Sequence, residues 1–233
     1  MVPLFRNPPK FRKVNYRSKL DPSLVLWLRF DEGSGTTAYD SSRYFNNGTI
    51  TGATYSAGKV GSYCLSFDGG DYVSLGAPAS LDMRTAATIS FWVIFDTLDT
   101  VADYPSIFNS KSGGGTGKGI NLYFINTSNK MTFTIFNNDI KVAEVTTTKT
   151  DWSTATWYHI TVVWDSTLAT KNIQWYINKV AENSGDDTDV PNGISAGIRV
   201  GSTWEGDIDE LRVYNRALSA TEVSELYTAM GGT

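Results

Sequence analysis

Between residues 24 and 95 the chain repeats one pattern: a short apolar run of alternating or near-continuous character, then a cluster of turn-forming residues. "LVLWLRF" (Leu24–Phe30) is the first run, and "DEGSGTTAYDSSRYFNNGTI" after it is a long polar loop rich in Gly, Asp, Ser and Asn, residues that accept turn geometry. "YCLSFDGGDYVSL" (Tyr63–Leu75) reads as a hairpin turning at Asp68-Gly69-Gly70-Asp71. "TISFWVIF" (Thr88–Phe95) is apolar on both faces, as a strand in the centre of a sandwich should be.

The pattern continues to the C-terminal end of the chain. "PSIFNS" and "INLYFIN" flank a glycine loop, and "KMTFTIFNN" with "IKVAEVTT" predicts a hairpin around Asn137-Asn138-Asp139. "WYHITVVWD" and "NIQWYINKV" are expected to pair, followed by "GIRVGS" and "GDIDELRVY". Short strands at regular spacing with turn chemistry between them predict an all-β fold, a two-sheet antiparallel jelly-roll sandwich with one short C-terminal helix. Ser219 is a suitable N-cap, and Glu222 three residues on completes a capping box. Leu218 and Val223 form a hydrophobic staple, Leu226 and Met230 continue the apolar face, and Gly231-Gly232 end the helix. So short a helix needs a surface to lie on, which makes it a lid on the sandwich.

Composition adds limits. With 41% hydrophobic residues, 13% aromatics and a single cysteine, the chain has ample core material, no internal disulfide and no thiolate metal cluster. Cys64, inside "YCLSF", reads as a small buried hydrophobe. No run approaches the roughly 20 apolar residues of a membrane span, and the first residues, basic and broken by proline, carry no secretory signal pattern. Charge is asymmetric. Arg6, Lys10, Arg12, Lys13, Arg17 and Lys19 precede the first acidic residue, so a net charge of −4 leaves −10 for everything after residue 20. Residues 1–20 are therefore read as a basic arm, and 21–233 as the sandwich domain. Such an arm suits an acidic partner, another protein subunit above all; a membrane is excluded and nucleic acid is disfavoured by the acidic body.

In order and spacing, "LWLRFDEGSGTTAYDSSRYFNNGTITGA", "GSYCLSFDGGDYVSL", "TISFWV", "WYHITVVWD", "IQWYINKV", "IRVGS" and "GDIDELRVYNRALSATEVSELY" resemble the laminin-G-like jelly-roll domains of the concanavalin A-like superfamily. The resemblance covers Leu24 to Tyr227 and implies two antiparallel sheets used for binding and adhesion, often with one structural calcium. One departure is visible: Arg43-Tyr44-Phe45 follows "DSS" where the family has small residues.

Candidate chemistry follows. Ca²⁺ takes six to eight oxygen ligands. Asp31, Asp40 and Asn47 of the long loop, with Asp209 brought beside it as the resemblance implies, are the expected ligands; the alternative role for Asp31 and Asp40 is turn capping through backbone hydrogen bonds. "EGDIDE" (Glu205–Glu210) has the spacing of laminarinase-type catalytic strands, but Gly206 and Asp209 stand where those enzymes carry apolar residues. His159 lacks a nucleophilic partner in sequence, and the glycine loop at 113–119 is followed by a strand where a phosphate loop needs a helix. No catalytic residue is therefore assigned. Tyr104, Trp152 and Trp204 are the candidate platforms for a sugar, with Asp103 and Asn109 nearby in sequence.

Two functional readings remain. The favoured one is a non-catalytic structural protein of a virion or other assembled surface, of capsid-decoration or fibre type, whose arm (Arg6, Lys10, Arg12, Lys13 and Arg17) docks on a neighbouring subunit. The alternative is a carbohydrate-binding, lectin-like adhesion module.

Overall fold

In a computed structural model, residues 20–98, 104–110, 118–154, 156–170, 172–186 and 197–232 are described. The arm residues Arg6, Lys10, Arg12, Lys13 and Arg17 lie outside them, as does Asp103. The described residues form sixteen strands: β1 Leu24–Leu28, β2 Thr37–Ala38, β3 Gly48–Thr51, β4 Thr54–Ala57, β5 Tyr63–Asp68, β6 Tyr72–Gly76, β7 Ala86–Phe95 and β8 Ser106–Asn109 in the first half. Then come β9 Gly119–Ile125, β10 Lys130–Asn137, β11 Ile140–Thr146, β12 Tyr158–Asp165, β13 Ile173–Ile177, β14 Val180–Gly185, β15 Ile198–Val200 and β16 Glu205–Tyr214, with helix α1 at Ala220–Ala229.

The strands form two antiparallel sheets. The first runs β14-β13-β12-β7-β16-β5-β4, with β1 also paired to β16; the second runs β11-β10-β9-β8-β15-β6-β3-β2. This is the two-layer sandwich the pattern predicts. Leu65, Phe67, Phe91, Val93, Ile160 and Ile208 from the first sheet face Val73, Leu122, Phe133, Ile135 and Val200 from the second in one dry core.

One expectation is corrected here. Tyr63–Leu75 is not a hairpin: β5 pairs with β4 and β16, whereas β6 pairs with β3 and β15 in the other sheet. The segment arches across the core, with Gly69 at φ 91° in the corner. Alternation is the same for a hairpin and an arch, because in both cases every second residue points to one core. The β10–β11 and β12–β13 pairings do follow the sequence reading, and Asn138 and Asp139 take the positive φ values of a tight two-residue turn.

Helix α1 forms with its capping box: Ser219 Oγ accepts the Glu222 N–H, and Glu222 accepts the Ser219 N–H. It lies on the outer face of the first sheet. There Leu218, Val223, Leu226, Tyr227 and Met230 pack against Trp92, Val163, Tyr176 and Tyr214, forming a second apolar cluster. The first sheet is thus covered on both faces. The second sheet turns its other face outward.

Candidate functional site

That outward face is built by register. Residues alternating with core positions Ile50, Val73, Val200, Phe108 and Leu122 must point away from the core. Pairing lines up Thr49, Ser74, Arg199, Asn109, Asn121, Thr134 and Glu144 across β3, β6, β15, β8, β9, β10 and β11. With strands about 4.8 Å apart, seven strands carry this polar row across about 29 Å. A second row, Ser106, Tyr123, Thr132 and Thr146, runs beside it on β8 to β11.

Side-chain bonds fix both rows. Ser106 Oγ donates to Asn121 Oδ1, and Thr134 Oγ1 donates to the Asn121 carbonyl at 3.2 Å. Tyr123 Oη donates to Glu144 Oε2 at 3.2 Å, and Lys141 Nζ reaches the same oxygen at 2.6 Å. Burial, followed by the Glu144 charge, pushes the Tyr123 hydroxyl well above the usual tyrosine range, so it stays a donor. The Arg199 guanidinium lies 4.5 Å over the Tyr72 ring. Tyr104, 59% exposed, stands edge-on to Tyr123 with ring centroids 5.7 Å apart. The face therefore offers amides that both donate and accept, an acceptor at Glu144, a donor at Arg199, and tyrosine rings. The sequence reading named Tyr104 and Asn109 but not Asn121, Tyr123, Glu144 and Arg199, which stand on the same face. Only the pairing register brings these together.

Two candidate platforms are corrected. Trp204 is 0% and Trp152 6% exposed. Both pack on Phe95, at 5.0 and 5.3 Å between ring centroids, and Phe124 joins them from the second sheet. They fill the sandwich at the end of its core, since their large apolar area is worth more inside than in solvent. Trp152 Nε1 meets the Asn129 carbonyl at 3.0 Å.

The expected calcium ligands are occupied with the protein's own donors. Asp40 accepts the N–H of Trp27, Ser42 and Asn46 at 2.8 Å each and the Ser42 hydroxyl at 2.6 Å. Asn47 Oδ1 accepts the Asp40 N–H. Asp31 accepts Ser62 N–H, Tyr63 N–H and Arg29. Asp209 lies buried on the other face of β16, where it accepts Val60 N–H at 2.9 Å. Among the described residues no group of three or more His, Cys, Asp or Glu is placed to hold a metal. Asp31 and Asp40 have the turn-capping arrangement that was the alternative.

The acidic strand β16 is bulged between Asp209 and Arg212, with Glu210 at φ 53°. Ile208, Leu211 and Val213 all stay in the core as a result. Glu210 is buried, accepts Trp27 Nε1 at 2.7 Å and pairs with Arg212 at 2.7 Å and Arg29 at 3.5 Å. A carboxylate so held between two guanidinium groups is a structural strut, buried and already engaged by three side chains. His159 is fully buried below α1, its Nε2 2.8 Å from Ser90 Oγ.

A family model described as the concanavalin A-like lectin/glucanases superfamily matches residues 67–224. No curated protein sequence matches the chain. Among solved structures, the binding domain of Paraclostridial mosquitocidal protein 1 is 19% identical with a TM-score of 0.71, covering 89% of this chain and 52% of that one. The ligand-binding domain of botulinum neurotoxin serotype D, in complex with N-acetylneuraminic acid, is 16% identical with a TM-score of 0.70, covering 91% and 52%. Domain 4 of AbnA, an extracellular arabinanase of Geobacillus stearothermophilus in complex with arabinotriose, is 21% identical with a TM-score of 0.64, covering 88% and 98%. The chain thus spans about half the length of the toxin binding domains it matches. At these identities the likeness shows the fold.

Proposed function

We propose that this chain, which belongs to the concanavalin A-like lectin/glucanases superfamily, is a non-catalytic module that recognises glycans on the outer face of its second sheet. The observation that carries this reading is the polar row from Thr49 to Glu144 across seven paired strands. A sugar presents hydroxyls that donate and accept, and C–H faces that pack on aromatic rings. Asn109 and Asn121 answer the hydroxyls in both senses, Glu144 accepts, Arg199 donates, and Tyr104 and Tyr72 supply the rings. Thr134 in the middle of the row is buried, so the contacts open to a ligand are those of Tyr104, Asn109, Asn121, Glu144 and Arg199. A non-catalytic role agrees with Glu210 being engaged by Arg29, Arg212 and Trp27, and with relatives in fold that are binding domains.

The test is a glycan array with the full chain, with and without chelator. A consistent set of hits that disappears in Tyr104→Ala sustains the reading; a silent array contradicts it. Assembly through the basic arm is the second reading, motivated by six basic and no acidic residues in the first twenty. Light scattering on the full chain and on a chain lacking residues 1–20 separates the two: equal oligomeric mass counts against assembly.

A further inference from the structure

We propose a second, separate glycan subsite, selective for neutral sugars, formed by Tyr39, Tyr55 and Tyr63 around the carboxylate of Glu32. It sits at the seam of the sandwich, where β4 ends the first sheet and β2 ends the second. Its residues precede the family-matched segment and share none with the face described above.

Exposed aromatic rings concentrate here. Tyr39 is 58% and Tyr63 42% exposed. Exposed rings in one place mark an interaction surface more strongly than scattered ones do. The chemistry beneath them selects a sugar. Glu32 Oε1 accepts the Tyr39 N–H at 2.8 Å, and Oε2 accepts the Tyr55 hydroxyl at 3.5 Å. Each oxygen keeps lone pairs for sugar hydroxyls, and hydrogen bonds to a charged acceptor are the stronger kind. Both of these protein donors are neutral, so the Glu32 charge is not cancelled by them. Asp31 beside it is paired with Arg29 at 2.8 Å. The local field is negative, which disfavours an anionic sugar.

The rings of Tyr55 and Tyr63 are also held in advance of any ligand. Tyr63 packs on Gly33, which has φ +69°; a Cβ there would come within 2.6 Å of the Tyr63 ring, so no larger residue leaves the ring in place. Tyr55 meets Tyr63 edge-on at 6.2 Å. Asp31 ties down the backbone of Ser62 and Tyr63 at 2.8 and 3.2 Å. Rings already immobilised lose little entropy on binding, which is how a small aromatic site gains useful affinity. Burial and the Glu32 charge push the Tyr55 hydroxyl up to about 12, keeping it a donor to Glu32 at neutral pH.

The experiment is an amide NMR titration of the full chain with arabinotriose, cellotriose and N-acetylneuraminic acid. The expected result is saturable shifts at Tyr39, Tyr55 and Tyr63 with a neutral trisaccharide and none there with the acid. Tyr39→Ala, at an exposed ring, and Glu32→Gln, which keeps an acceptor for the Tyr39 N–H, should each weaken that binding at least tenfold with melting temperature retained, whereas Tyr104→Ala leaves it unchanged. Shifts confined to Tyr104 and Tyr123 would overturn this subsite and leave the main face standing. Shifts confined to Tyr39 and Tyr63 would sustain it against the main face. Silence at both positions with every probe overturns it, as does equal response to the anionic sugar.

Discussion

Asp209 Oδ2 accepts the backbone N–H of Val60 at 2.9 Å, while Asp209 Oδ1 is buried and, among the described residues, has no hydrogen-bond partner. Burial, reinforced by the Glu210 charge, pushes this carboxyl up to about 7, against backbone hydrogen bonds that pull it down. The unfolded chain releases the same proton near the ordinary aspartate value of about 3.9. The folded state therefore holds the proton longer, and this group's contribution to stability is full below about pH 4 and is lost as pH rises towards 7. Asp209→Asn keeps the shape and removes the titration. Its melting temperature should exceed that of the parent at pH 8 and approach it at pH 4. Parallel curves across that range would show that Asp209 is not a buried acid.

His159, the single histidine, provides a second pH probe, beneath helix α1. It lies 5.1 Å from the Trp92 ring and 5.5 Å from Tyr227, centroid to centroid, and its Nδ1 has no partner among the described residues. Desolvation first, and then the Arg212 charge, lower it to about 3. Because the unfolded imidazole gains its proton near pH 6.5, its contribution to stability is present above that pH and is lost as pH falls towards 3. The ring proton signals should stay at their neutral positions down to pH 4.5 in the folded chain. A midpoint near 6.5 would mean that water reaches the ring and that α1 does not seal the sheet.

The cap of α1 gives a stability prediction without titration. Ser219 Oγ satisfies the Glu222 N–H, one of the orphan donors of the first turn. Ser219→Ala should cost about 1 kcal/mol in denaturant unfolding. No measurable change would show that the helix is held by Val223, Leu226 and Tyr227 alone.

These features differ in how legible they were in the chain. The helix was readable because its cap, staple and glycine stop are local, within a span of fifteen residues. The strands were readable by alternation, and the β10–β11 turn by Asn138-Asp139. The arch from β5 to β6 was not, because Leu65, Phe67, Val73 and Leu75 alternate alike whether their strands pair or face each other. The two tryptophans were misplaced for a related reason. A Trp next to Thr or Ser in a polar stretch resembles a loop residue, yet Trp152 and Trp204 fold back onto Phe95. The polar row was invisible for a deeper reason. Asn109, Asn121, Thr134, Glu144 and Arg199 are unremarkable one at a time, and only register makes them neighbours. For the carboxylates of the long loop, composition counts oxygens but does not show which backbone N–H groups they serve. Asp40 alone takes four donors.

Glycan recognition on the second sheet is tested most directly by calorimetric titration of the strongest array hit into three proteins: the parent, Tyr104→Ala and Arg199→Ala. Both side chains are exposed, so neither change should move the melting temperature by more than a degree or two. The expected result is a loss of affinity of tenfold or more in each variant with folding intact. Unchanged affinity in both would contradict the assignment of this face.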